Sequence, residues 1–166
     1  MRPLAVFDID GVLADARHRT HHLVPSLNKK GKMSKNWGAF FREAVNDEPL
    51  KEGFQMLTEL SVDHDIVYLT GRPEQCRADT LTWLKEQGLD VTELFMRPKG
   101  NFGRSADTKA QLMLDLAAGG RTIAVIIDDD VTVVDAHRAN GFNVIHATWA
   151  LEDKALQEAQ QVDGRV

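Results

Sequence analysis

Five short apolar runs, at residues 4–9, 65–69, 92–96, 123–127 and 142–146, alternate with segments of helical periodicity, and few folds accept that order. The helical segments are legible from their spacing. Residues 50–60 put Phe54, Leu57 and Leu60 on one face. Residues 73–87 carry Cys76, Leu81 and Leu84, with Pro73 suited to a first helical position and Gly88 to a stop. Residues 106–118 are apolar at Ala110, Leu112, Met113, Leu114 and Leu116 before the Gly119, Gly120 pair, and residues 131–140 close at Gly141. Strands joined by helices call for βαβ units and a parallel sheet covered on both faces. The pattern therefore predicts one doubly wound, Rossmann-like α/β domain over residues 1–166, with a five-stranded, mostly parallel sheet. In such sheets the chemistry lies at the carboxyl ends of the strands.

One stretch breaks the alternation. Residues 14–49 are polar and irregular, with Pro25, Gly31, Gly38 and the run Lys29, Lys30, Gly31, Lys32. Following the first strand directly, they read as a small cap insertion over the site, short enough to leave an open mouth. Trp37, Phe40 and Phe41 suit a satellite core under this insertion; alternatively one of them stacks a base or sugar. Lys29, Lys30, Lys32 and Lys35 are either solvated or track a phosphodiester. His18, His21 and His22 lack an accompanying carboxylate or cysteine at ligand spacing and read as loop residues. Cys76 falls on the apolar face of a helix.

The charge balance narrows the function classes. Lys and Arg number 20 against 25 Asp and Glu, a net charge of −5, which does not draw the whole molecule to nucleic acid or anionic lipid. No apolar run approaches the roughly 20 residues of a membrane span. The single cysteine cannot form an internal disulfide. A cytoplasmic enzyme without a membrane partner is the expectation.

The strand ends carry the chemistry. The first ends in Phe7-Asp8-Ile9-Asp10-Gly11-Val12, the second in Leu69-Thr70-Gly71-Arg72 and the fourth in Ile127-Asp128-Asp129-Asp130. Carboxylates from neighbouring strand ends repel one another unless a cation lies between them, and hard Mg²⁺ takes such oxygen ligands. Asp8, Asp10, Asp128 and Asp129 are the candidate Mg²⁺ residues. Asp8, projecting from the strand end, suits nucleophilic attack on phosphorus through an aspartyl phosphate. Asp10, two residues on, suits a general acid/base if its neighbours raise its pKa. Thr70 and free backbone N–H groups around Gly11 and Gly71 can hold phosphoryl oxygens. A lysine is needed to offset the remaining charge; Lys109, opening a helix, and Lys99, in a Pro-Lys-Gly turn, compete for that place. A receiver-type phosphoacceptor domain uses similar residues, but there the paired acids come first.

Four segments together, Asp8-Ile9-Asp10-Gly11-Val12, Thr70-Gly71-Arg72, Lys109 and Asp128-Asp129, resemble the motifs of the haloacid dehalogenase superfamily in order. The resemblance implies a HAD-like fold, a phosphomonoesterase activity and Lys109 as the third motif. Residues 8–19, residues 37–49 with Gly-Ala-Phe-Phe and Asn-Asp-Glu-Pro, and residues 69–109 with Thr-Trp-Leu and Leu-Phe-Met-Arg-Pro are similar to the branch containing the phosphatase domain of phage polynucleotide kinase. That branch implies a nucleotide or nucleic-acid 3′-phosphate as substrate, Arg19 and Arg72 in the substrate site, and a separate kinase or ligase as possible partner. Ser105 and Asp130 depart from its pattern, which keeps open a 5′-nucleotidase or small-metabolite phosphatase. No Gly-x-x-x-x-Gly-Lys-Ser/Thr loop is present to support kinase activity.

Overall fold

The structure, a computed structural model, describes residues 1–150 and 153–165. Five parallel strands form the sheet: β1 (Leu4–Phe7), β6 (Asp65–Pro73), β7 (Glu93–Arg97), β8 (Ile123–Asp128) and β9 (Val144–His146), in the order β7-β6-β1-β8-β9. Counting these strands along the chain, the order is 3-2-1-4-5, which differs from the 2-1-3-4-5 order of receiver domains and removes that alternative. The central strands are continuous apolar runs because both faces are buried. Ala5 and Phe7 of β1 face one core cluster with Leu57, Trp83 and Leu84, whereas Leu4 and Val6 face the other with Met113 and Val134. The first cluster is covered by α2 (Lys51–Leu60) and α3 (Arg77–Glu86), the second by α4 (Ser105–Ala118) and α5 (Val131–Ala139).

Two of the boundaries that differ from the sequence reading bear on the site. Pro73 ends β6 instead of opening a helix, because the strand runs on through Thr70-Gly71-Arg72 until Pro73 pairs with Arg97. A short 3-10 turn, Glu74–Cys76, then leads into α3, so Cys76 is at the helix entrance and only partly buried.

The segment after β1 is more ordered than its polar composition suggests. Strands β2 (Ala14–Asp15) and β5 (Glu48–Pro49) pair antiparallel and draw its ends together. Between them lie a 3-10 helix, Arg17–Leu23, a hairpin of β3 (Ser26–Leu27) and β4 (Met33–Ser34), and α1 (Trp37–Arg42). Leu23, Phe40 and Phe41 form a satellite core, which α6 (Lys154–Glu158) and the π-helical turn Ala159–Asp163 complete through Leu156 and Ala159. Lys35 leaves the lysine run to pair with Asp163 of that turn. No helix among the described residues is long and apolar enough to cross a membrane.

Candidate active site

β1 and β8 are adjacent and parallel, so their carboxyl ends deliver Asp8 and Asp128 to one place. Asp8 N–H still donates to Ile127 O at 2.9 Å, which fixes the backbone from which its carboxylate projects. Oxygens of Asp8, Asp128 and Asp129 all lie within 4.8 Å of one another. Lys109, from α4, reaches between them, its Nζ 2.9 Å from Asp8 Oδ2 and 2.7 Å from Asp128 Oδ2. Lys99 is exposed in its turn. Asp129 Oδ2 accepts from Gln160 Nε2 at 2.9 Å, while its Oδ1 is buried with no hydrogen-bond partner among the described residues.

The electrostatics of this group are those of a site short of positive charge. If all three carboxylates are ionised, one ammonium leaves two negative charges in a buried space. Burial pushes the Asp8 carboxyl up to about 8, with Asp128 and Asp10 adding to the rise and Lys109 opposing it. Asp128 is raised by burial, and Asp129 well above its ordinary value by burial and the charges of Asp128 and Asp8. Burial works against the Lys109 ammonium, but Asp128 and Asp8 outweigh it and raise its pKa. An all-oxygen donor set with a charge of minus two and an unpartnered oxygen fits a hard divalent cation. Asp8, Asp128 and Asp129 are the side chains that could hold one.

Asp10 belongs to a second, separate cluster. Its Oδ1 accepts from Arg19 Nη2 at 2.5 Å and from Arg72 Nη2 at 2.6 Å. Asp47 accepts from Arg19 at 2.8 and 2.7 Å, from Arg72 Nη2 at 2.8 Å, and lies 2.8 Å from His18 Nε2. Two carboxylates face two guanidiniums, and the set is internally neutral. The Arg19 guanidinium also lies 4.1 Å from the centre of the Phe40 ring. Burial would raise Asp10, but Arg19 and Arg72 hold its carboxyl well below the usual carboxylate range.

Several sequence expectations therefore need correction. Asp10 is held ionised, not raised, and its carboxylate is bound to the guanidiniums of Arg19 and Arg72. Arg19 and Arg72 are fully or almost fully buried, bound to Asp10 and Asp47 instead of facing an open mouth. The mouth itself is closed: Asp8, Asp10, Lys109 and Asp128 are each no more than 3% exposed. Gly11 N–H is spent on Ala14 O at 2.9 Å and is not free for a phosphate. Glycine is required there for another reason, since φ is +76° and a Cβ would stand 2.2 Å from Asp129 Oδ2. Thr70 is buried within β6 and accepts from Arg72 N–H at 3.2 Å, so its hydroxyl oxygen is already engaged by the strand's own backbone. Gly71 offers its carbonyl to Arg97 Nε at 3.3 Å. Asp130 caps α5 by accepting from Thr132 N–H at 2.8 Å.

The residues that sequence reasoning missed lie far from the strand ends. Asp47 sits in the Asn-Asp-Glu-Pro segment, where nothing local signals an ion-pair role. His22 Nε2 lies 2.8 Å from Glu43, a carboxylate that the spacing of the histidines did not suggest. Gln160 comes from the C-terminal turn, in a stretch that reads as a fraying helix, and only the tertiary fold brings it to Asp129.

A family model for the polynucleotide kinase PNKP phosphatase domain matches residues 3–149. Among curated proteins none is similar enough in sequence to count as a relative. A chain of the Pnkp1/Rnl/Hen1 RNA repair complex superposes with a TM-score of 0.67 at 20% identity, covering 87% of this chain and 42% of that one. The chain thus spans less than half the length of that neighbour. A haloacid dehalogenase-like hydrolase from Streptococcus pneumoniae superposes at 0.63 with 16% identity, covering 98% and 92% of the two chains. A HAD hydrolase from Bacillus subtilis described as bound to magnesium superposes at 0.57 with 11% identity, covering 86% and 87%.

Proposed function

We propose, from the premise that this chain belongs to the polynucleotide kinase PNKP phosphatase-domain family of haloacid dehalogenase phosphatases, that it hydrolyses 3′-phosphates of nucleotides or polynucleotides in Mg²⁺ through an aspartyl phosphate. The observation that carries this reading is the junction of Asp8, Lys109, Asp128 and Asp129 at the ends of two neighbouring strands. Mg²⁺ held by the three carboxylates would supply charge neutralisation for the phosphate and the nucleophile. Lys109 keeps the Asp8 oxygen oriented and offsets charge on the phosphoryl group.

In the first half-reaction an Asp8 oxygen forms a bond to phosphorus, the bond to the leaving oxygen breaks, and a proton from Asp10 converts that alkoxide to an alcohol. In the second, water attacks phosphorus, gives its proton to Asp10, and the Asp8–phosphorus bond breaks to release phosphate. Arg19 and Arg72 hold Asp10 ionised at rest, which suits the second step. For the first, the incoming phosphate must draw the guanidiniums to its own oxygens, so that Asp10 can carry a proton. Thr70, on β6 beside β1, supplies a side-chain hydroxyl for a phosphoryl oxygen.

The nucleic-acid end as substrate, and a separate kinase or ligase as partner, rest on the family match. The closed mouth favours one second reading, a phosphatase of mononucleotides or small metabolites that needs less opening. Release of phosphate from a 3′-phosphorylated oligonucleotide, a 3′-mononucleotide, a 5′-mononucleotide and a sugar phosphate separates the two. Turnover of the sugar phosphate at or above that of the oligonucleotide would overturn the first reading, and near wild-type turnover by Asp8→Asn would overturn the chemistry of both.

A further inference from the structure

A groove of about 430 Å³ opens at the carboxyl ends of β6 and β7, lined there by Pro73 and Arg97. Trp37 of α1 forms one wall and Phe102, in the turn after β7, another. The Arg165 guanidinium lies 5.9 Å from the centre of the Trp37 ring and 5.8 Å from that of Phe102. Two aromatic rings thus already share one flat, delocalised cation. Phe102 is 78% exposed, a large apolar surface.

The groove adjoins the candidate active site, since Pro73, which lines it, directly follows Arg72. Arg97 lines it and also lines a smaller cavity of about 180 Å³, whose other walls include Thr70 and Lys109. Arg97 is held in place by the carbonyls of Gly71, Gly103 and Gly164 at 3.3, 2.6 and 3.0 Å. The lining also has a distinct charge. Arg42, Arg97 and Arg165 stand against one carboxylate, Asp79, although the chain as a whole carries a net charge of −5. Aromatic faces, guanidiniums and a positive local balance form the set that recognises a base together with its phosphodiester.

We propose that this groove binds the nucleobase of the nucleotide whose terminal phosphate is hydrolysed. The base stacks on Trp37 and Phe102 in place of Arg165, whose guanidinium, with that of Arg42, then meets the adjoining phosphodiester. The inference rests on the nucleotide phosphatase reading above and assigns its specificity to residues outside the catalytic motifs.

The test uses full-length Asp8→Asn protein in Mg²⁺, so that probes are bound but not consumed. The probes are a 3′-phosphorylated thymidine tetranucleotide and its abasic counterpart, with binding read by fluorescence anisotropy. The base-bearing probe binds more tightly, and Phe102→Ala reduces that advantage about tenfold, the lower part of the range for one stacked base. Trp37→Ala in the same background reduces it further. Because Phe102 is 78% exposed, its truncation leaves the buried core intact. An advantage unchanged in the double variant, or no advantage at all, overturns the groove. Turnover by the wild-type enzyme judges the function separately. If the 3′-phosphate is hydrolysed without base-dependent binding, the groove alone falls; if base-dependent binding persists without 3′-hydrolysis, the 3′-phosphatase reading alone falls.

Discussion

Gln160 donates its side-chain amide to Asp129 Oδ2 at 2.9 Å from a π-helical turn that lies beyond the residues matched by the family. The contact leaves Asp129 Oδ1 without a partner among the described residues, aimed by a residue that is itself 5% exposed. Hydrogen bonds that orient a metal-binding carboxylate are commonly worth about 10–100-fold in affinity. Gln160→Leu should therefore weaken Mg²⁺ binding about tenfold by isothermal titration calorimetry, with kcat at saturating Mg²⁺ changed far less. Unaltered affinity would show that the amide merely fills space.

Lys109 reaches both Asp8 and Asp128 with one ammonium. Lys109→Met leaves two buried carboxylates without their partner, a loss on the order of 3 kcal/mol when one member of a buried ion pair is removed. Urea unfolding near neutral pH should register that loss. Saturating Mg²⁺ should recover part of it, because a cation again faces the acids, yet phosphatase activity should stay low. Equal sensitivity of wild type and variant to urea would contradict the proposed electrostatic role.

The difference in legibility between fold and site has a physical basis. The alternation of apolar runs and helical periods was enough for the sheet, because strands buried on both faces must be apolar throughout, as Leu4 to Phe7 are. The strand-end aspartates were legible for the same reason, since a charged residue closing such a run needs a special environment. The Arg19–Asp47–Arg72–Asp10 set was only half legible. Arg19 looks like an ordinary polar loop residue, and its complete burial depends on Asp47, 28 positions away, and on the Phe40 ring. Gln160 was illegible, because its part depends on how the chain returns across the insertion and packs Leu156 and Ala159 on Leu23 and Phe40.

Proton and metal should compete at the acidic group. Burial pushes the Asp8 carboxyl up to about 8 and raises Asp128 and Asp129 as well, so the folded state binds these protons more readily than the unfolded chain. Their protonated forms then contribute stability that is full below the ordinary carboxylate pKa and is lost as pH rises through the folded values. Mg²⁺ binds the ionised set and should offset that loss. The rise in Tm on adding Mg²⁺ should be larger at about pH 8.5 than at about pH 5.5, where protons already occupy the group. Calorimetric scans at the two pH values check this, and an equal shift at both would exclude competition.

His137 supplies a pH dependence of opposite sign. It is fully buried in α5, neither ring nitrogen has a hydrogen-bond partner among the described residues, and its ring meets Phe142 edge-on at 6.0 Å. Burial, with the nearby Lys109 charge, pushes its pKa down from 6.5 to about 4. The unfolded chain therefore takes up this proton first as pH falls, so the stability contributed by the neutral ring is present above about 6.5 and drains away towards 4. A shift of that size corresponds to a few kcal/mol, roughly 3 at most. Comparing wild type with His137→Leu isolates the effect from the acidic group, whose contribution runs the other way in both proteins. Urea midpoints at about pH 7 and about pH 4.5 should fall more steeply for wild type than for the variant. Parallel changes in the two would mean that the ring is protonated in the folded state at no cost, and the buried, unpartnered environment assigned to it would be wrong.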